Sequence, residues 1–310
     1  MLPVLLVACS TTDSPAAPAA SPSEVPPEPL TYAMTGLDAP LSWTPRPVVV
    51  VKIDNTLAGR PQVGVGQADM VIEEPVEGGL TRLAAFFESA LPESVGPVRS
   101  IRASDVGLVS PVNPIVVASG GSPEALAAYE KADITLVDES SGKLARDPSR
   151  AAPYNVFVDL TQVQREAKGK DPKAPYFDFG ITKLPATASV KEVRLTFSPS
   201  HSETWEWNNK GWWEQEGLTF RPVTLLALNV RTVDTGLRDA AGTPIPEVIT
   251  TGAGSGFMMM DGKARQILWK KRSPTAPYEF TTQAGLVISV PPGRTWLALM
   301  EKGPGQVTLS

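Results

Sequence analysis

Apolar positions along the chain come in short blocks, and their spacing predicts strands more often than helices. Val48-Val-Val-Val-Lys-Ile-Asp54 is an almost unbroken β-branched run, the pattern of a strand buried on both faces. Ala68 to Glu74 reads as a second strand. Glu77-Gly78-Gly79 then reads as a turn leading into a third, Leu80 to Glu88, because a Gly-Gly pair favours a hairpin. Ser100 to Ser110 reads as helical, and Pro114 to Ser119 as another buried strand. Ser122-Pro123-Glu124 has the signature of a helix start, with a cap, a proline at the first position and an acid in the first turn. Strands at Asp133 to Val137 and Asn155 to Asp159 and a helix from Leu160 to Lys168 complete an alternating first half.

The pattern then changes. Nine strand-like blocks follow between Lys191 and Met300, and Asp261-Gly262 marks a two-residue hairpin. The fold class expected is α+β. An N-terminal α/β layered domain (46–169) is followed by a linker (170–190) and a mostly antiparallel β C-terminal domain (191–310), a barrel or a sandwich.

Composition alters this picture at the N-terminus. The chain has 31 prolines in 310 residues, about twice the usual share, and six of them fall between Ser10 and Leu30. Residues 10–45, rich in Ser, Ala and Pro, cannot bury a core and are expected to form a disordered stalk. The single cysteine, Cys9, follows Leu6-Val7-Ala8, which is the lipobox pattern of bacterial lipoproteins. No basic residue precedes Arg46, so residues 1–9 are read as a truncated signal peptide with Cys9 as the lipidation point. An alternative is a stray apolar start. The expected setting is extracytoplasmic, with the membrane reached through a lipid anchor.

Charge and rare residues narrow the chemistry. One Cys and one His exclude a disulfide within the chain and any zinc site built from Cys and His alone. With 28 basic and 33 acidic residues and no basic run, the chain is not a nucleic-acid binder. His201 lies in what reads as a Ser-rich loop, a poor setting for a general base.

Polar residues at strand ends and turns form the candidate ligand-binding set: Asp54, Asn55, Arg60, Glu73, Glu77, Arg82, Arg99, Arg102, Gly120, Gly121 and Ser122. Ligands of α/β layers bind at such positions, and several arginines suit an anionic group. Internal salt bridges, a turn at Asp54-Asn55 and a plain helix cap at Gly120-Gly121-Ser122 explain the same residues. The tryptophans of Thr204 to Trp207 and Gly211 to Trp213 suggest an aromatic hairpin, with Trp212 open to a partner protein or packed inside.

Several stretches occur together in order: Pro47-Val-Val-Val-Val-Lys-Ile-Asp-Asn55, Arg60-Pro-Gln62, Ala68-Asp-Met-Val-Ile-Glu73, Val76-Glu-Gly-Gly-Leu-Thr-Arg82, Gly96-Pro-Val-Arg-Ser-Ile-Arg102 and Gly120-Gly-Ser-Pro123. Gly252 to Gly256, Met260-Asp-Gly-Lys263, Trp269-Lys270, Ala276-Pro277 and Gly293-Arg-Thr-Trp296 follow. The series resembles the YerB-like lipoproteins, a bacterial family with two domains of unknown function. The resemblance implies an extracytoplasmic lipoprotein and supplies no catalytic residue. An Asp-bearing strand pair followed by Ser-x-Arg is also similar to cell-wall polymer ligases of the LytR–CpsA–Psr class, which hold a polyprenyl pyrophosphate with arginines and a Mg²⁺-binding Asp.

The function expected is therefore a membrane-anchored binding or scaffold module for an anionic cell-envelope ligand or a protein partner, with no cofactor. The alternative is a metal-assisted enzyme acting on a phosphorylated lipid or glycan, with Asp54 and Glu73 on a divalent cation such as Mg²⁺.

Overall fold

The computed structural model describes residues 30–182, 188–238, 242–302 and 306–310. Cys9, the signal peptide and the stalk up to residue 29 lie outside them.

The first half contains β1 (Val49–Asp54), β2 (Met70–Pro75), β3 (Thr81–Phe87), α1 (Asp105–Val109), β4 (Ile115–Val117), α2 (Pro123–Lys131), β5 (Thr135–Val137), β6 (Leu144–Arg146), β7 (Val156–Val158) and α3 (Leu160–Glu166). The second half contains β8 (Ala188–Ser189), β9 (Glu192–Ser198), β10 (His201–Trp207), β11 (Trp212–Glu214), β12 (Thr224–Arg238), β13 (Pro244–Ile249), β14 (Gly252–Met260), β15 (Lys263–Lys271), β16 (Glu279–Thr281), β17 (Val287–Ile288), β18 (Thr295–Glu301) and β19 (Gln306–Leu309). Strand outweighs helix throughout, so the fold is α+β with a β majority.

The two halves share one sheet. Its main order is β17-β16-β15-β14-β12-β18-β2-β3-β1-β4-β5. β18 sits between β12 and β2 and runs parallel to both. The second half is mostly antiparallel as expected, apart from the parallel pair of β12 and β18, but it does not form a main sheet of its own. β12 and β18 complete the sheet of the first half, and a parallel pairing between distant strands leaves no local turn signal. A four-stranded antiparallel sheet, β11-β10-β9-β19, is the part of the second half that stands apart.

Alternation along the central strands gives the large sheet two apolar faces. Val49, Val51, Val71, Leu83 and Trp296 pack against Leu195, Trp205 and Trp212 of the small sheet. The rings of Trp205 and Trp296 lie 4.9 Å apart across this layer. On the other face, Val50, Ile72, Ala84 and Leu297 pack against Leu108, Tyr129, Tyr176 and Phe177. Every residue of β1 is buried, as its β-branched run requires.

Two segments expected outside the fold belong to it. Residues 30–45 are not stalk throughout. Thr31 bridges to Asp38, Met34 is fully buried, and the Met34 amide donates to Glu88 Oε2 at 2.9 Å. The proline-rich arm after α3 packs through Tyr176 and Phe177, with bridges from Phe177 to Tyr278 and Phe179 to Val290. The long helix expected over Ser100 to Ser110 is only α1, followed by a 3-10 turn at Ser110–Val112. The Asp261-Gly262 hairpin forms as expected, both residues having positive φ.

Candidate functional site

β1 and β2 both run antiparallel to β3, while β4 and β18 run parallel to their neighbours β1 and β2. The C-terminal ends of β1, β2, β4, β12 and β18 therefore share one edge. Open sheets with parallel strands present ligands at that edge. The candidate residues gather there, and the alternation of side chains divides them between the two faces.

On the helix-covered face lies a cleft of about 270 Å³, lined by Asp54, Thr56, Glu77, Thr81, Arg82 and Arg99. Arg99 Nε pairs with Asp54 Oδ2 at 3.1 Å, and Asp54 Oδ1 accepts from the Thr56 amide at 2.8 Å. Glu77 follows β2 on a 3-10 turn whose Gly78 and Gly79 both have positive φ, so the strand reverses within three residues. Its carboxylate pairs with Arg102 and lies 3.9 Å from Arg82. Arg82 Nη1 donates to the Ser100 carbonyl at 2.9 Å.

Arg82 is nearly buried, and its pKa falls to about 10, chiefly through desolvation. The positive charges of Arg102 and Arg99 push the same way, against Glu77 and Asp105. Burial pushes the Glu77 carboxyl up, but the bond and charge of Arg102 outweigh it, and the net shift is downward. Arg82 and Arg99 line the cleft with Asp54 and Glu77, and Arg102 holds Glu77 from beside it.

The other face carries a separate polar cluster between the two sheets. Asn55 Nδ2 donates to Glu73 Oε1 at 3.0 Å, Thr81 Oγ1 at 2.9 Å and Glu203 Oε1 at 3.1 Å. His201 Nε2 lies 3.0 Å from Glu73 Oε1 and 2.9 Å from Thr81 Oγ1. Arg60 belongs to this side, 3.0 Å from Glu216 and 3.9 Å from both Glu203 and Glu214. Burial raises the Glu73 pKa to about 8, and burial followed by the Glu73 charge raises that of Glu203 well above its ordinary value. Burial lowers the His201 pKa despite the nearby Glu203.

The candidate set is thus brought together only in part. Asp54, Glu77, Arg82 and Arg99 line one cleft, and Arg102 joins them through its pair with Glu77. Asn55, Arg60 and Glu73 point to the opposite face, so Asp54 and Glu73 do not converge on one ion. Gly120, Gly121 and Ser122 form a helix start. Gly120 accepts from the Ile101 amide, Gly121 lies where a Cβ would reach 2.6 Å from Ile101, and Ser122 Oγ accepts from the Ala125 amide at 3.2 Å. Trp212 is fully buried and Trp213 is the exposed member of its pair, under Arg221 at 3.9 Å.

Sequence reasoning set His201 aside in a loop and passed over Glu203 and Lys52. His201 and Glu203 stand two apart on β10, on one face of a strand, and they meet Glu73 only across 128 residues or more. Lys52 carried a signal, since it is the one charge inside the β-branched run of β1. It is fully buried and bonds Glu74 and, at 2.8 Å, Asp105.

This geometry sits on a chain with known relatives. Residues 34–173 match the family described as "Protein of unknown function (DUF3048) N-terminal domain", and residues 190–297 match its C-terminal domain. The chain belongs to this family, the YerB-like group that the sequence motifs resemble. A curated relative, named "Putative lipoprotein YerB" of Bacillus subtilis (strain 168), is 36% identical over 140 residues. The match covers 44% of this chain and 42% of the relative. The crystal structure of the Bacillus subtilis YerB protein superposes with a TM-score of 0.76 at 22% identity, covering 90% of this chain and 99% of that one, and so shares the fold. Among the described residues no helix is long and apolar enough to cross a membrane.

Proposed function

We propose that the protein is a lipid-anchored extracytoplasmic binding module whose cleft at the C-terminal edge of the large sheet holds an anionic group of the cell envelope. The observation that carries this reading is the convergence of Arg82, Arg99 and Arg102, close enough for the charges of the other two to lower the pKa of Arg82. Such a cluster is relieved by an anion, and paired N–H donors on planar guanidiniums match phosphate or carboxylate oxygens. The name of the curated relative supports the anchor, and Cys9 in its lipobox is the residue that would carry the lipid.

The test is calorimetric titration with inorganic pyrophosphate and with a polyprenyl pyrophosphate, each with and without Mg²⁺. Arg99→Ala and Arg102→Ala should each weaken binding at least about tenfold, the loss of one charge-assisted bond. Unchanged binding in both variants overturns the cleft as the site. Detergent-phase partition of the full-length protein should be lost on Cys9→Ala, and retained partition refutes the anchor.

A further inference from the structure

Glu73, His201 and Glu203 lie outside the arginine cleft, and neither the family nor its named relative assigns them a role. Glu73 stands near the end of β2 in the large sheet, while His201 and Glu203 stand at the start of β10 in the small sheet. Each offers one ligand atom, and the three atoms lie within 4.8 Å of one another. Both glutamates are fully buried, and His201 is partly buried, with its side chain 13% exposed.

A second observation is independent of this spacing. Glu73 Oε2 and Glu203 Oε2 are buried and have no hydrogen-bond partner among the described residues. The donors close by are few, with the Trp296 indole N–H beside Glu73 not reaching hydrogen-bond geometry. The Asn55 amide has two protons, yet it serves Glu73, Glu203 and Thr81 together. The nearest full cation, Arg60, is 3.9 Å from Glu203. Two buried carboxylates with unmet lone pairs are costly, and a bound cation is the standard remedy.

The geometry points to a mononuclear site for a divalent transition-metal ion, Zn²⁺ in preference, held by Glu73, His201 and Glu203 between the two sheets. An imidazole beside two carboxylates selects Zn²⁺ or Mn²⁺ over Mg²⁺ and Ca²⁺, which take oxygen ligands. Ligand atoms around tetrahedral Zn²⁺ stand roughly 3.3–3.5 Å apart, because each bond is about 2.0–2.2 Å. His201 Nε2 and Glu73 Oε1 are already 3.0 Å apart, and no pair in the set exceeds 4.8 Å. An ion here ties β2 to β10, so it links the large sheet to the small one. This site is separate from the arginine cleft and stands or falls without it.

The experiment uses the purified full chain, stripped with a chelator and dialysed. Calorimetry with Zn²⁺ should give one ion per chain, and Co²⁺ should develop the visible absorption of a low-symmetry site. Glu203→Gln and His201→Ala should each weaken Zn²⁺ at least about tenfold and abolish the Zn²⁺-induced rise in Tm. Glu203→Gln keeps the side-chain volume and leaves one buried carboxyl where there were two, so its Tm in chelator should equal or exceed that of the parent. His201→Ala, at the partly exposed end, provides the second folded variant. No saturable ion in the parent protein, or undiminished affinity in both variants, overturns the site.

Discussion

Replacing Lys52 by Met tests the interior of the fold most sharply. The Lys52 ammonium bonds Glu74 and, at 2.8 Å, Asp105, and all three side chains are essentially fully buried. Burial, then repulsion by Asp105, raises the Glu74 pKa. Burial also pushes Asp105 up, but Lys52 outweighs it and the net shift is downward. The opposite shifts favour the proton on Glu74 and the negative charge on Asp105, beside Lys52.

Lys52→Met keeps the side-chain bulk and removes the cation. Asp105 must then stay charged in the core or take up a proton, and the second route sets a ceiling. From its ordinary value of 3.8, protonation at pH 7 costs about 4 kcal/mol, at about 1.4 kcal/mol per pH unit. This agrees with the roughly 3–5 kcal/mol typical of a buried pair deprived of one partner.

The sign reverses with the substitution. In the parent, the depressed Asp105 pKa gives stability that is present above 3.8 and is lost as pH falls through the still lower folded value. In Lys52→Met the folded pKa is raised, so stability falls as pH rises above 3.8. At pH 5 the ceiling is only about 2 kcal/mol. Urea unfolding followed by tryptophan fluorescence at pH 5 and pH 7 measures both losses. Adding Asp105→Asn should restore most of the difference. A loss below about 1 kcal/mol at pH 7, or equal losses at the two pH values, refutes the charge assignment.

Met34→Ala should cost about 2–5 kcal/mol in the same unfolding assay, because a fully buried side chain leaves a cavity under the segment before β1. A change within about 0.5 kcal/mol, as at a surface site, would mean that this segment is not part of the folded body. Glu88 has its pKa pushed up to about 7, first by burial, so its contribution is present below 4.5 and lost as pH rises through about 7. Glu88→Gln should therefore flatten the decline of Tm over that window, and an unaltered slope contradicts the raised value.

What the sequence disclosed follows from the range of the interactions. β1, β2 and the Ser122 helix start were legible because β-branched runs and caps act over a few residues. The hairpin into β3 was legible for the same reason. The placement of β18 beside β2 was not, because parallel strands meet without a connecting turn. The site divided along the same line. Arg82, Arg99, Arg102, Asp54 and Glu77 lie close to strand ends and were found from position alone. Their separation from Asn55, Arg60 and Glu73 depends on the phase of alternation in β1 and β2. His201 and Glu203 needed the small sheet in place before they had any partner at all.

The insertion of β18 also dictates an order of events. Thr295 pairs with Met70, about 225 residues away, and the same strand fills the gap between β2 and β12. Until residues 295–301 emerge, β2 presents a row of unpaired amides and carbonyls, the kind of edge that recruits foreign strands. The first half therefore waits for the second, and with such distant pairings the chain folds slowly. A cut between the two family-defined segments would leave β2 and β18 as complementary open edges, one on each fragment.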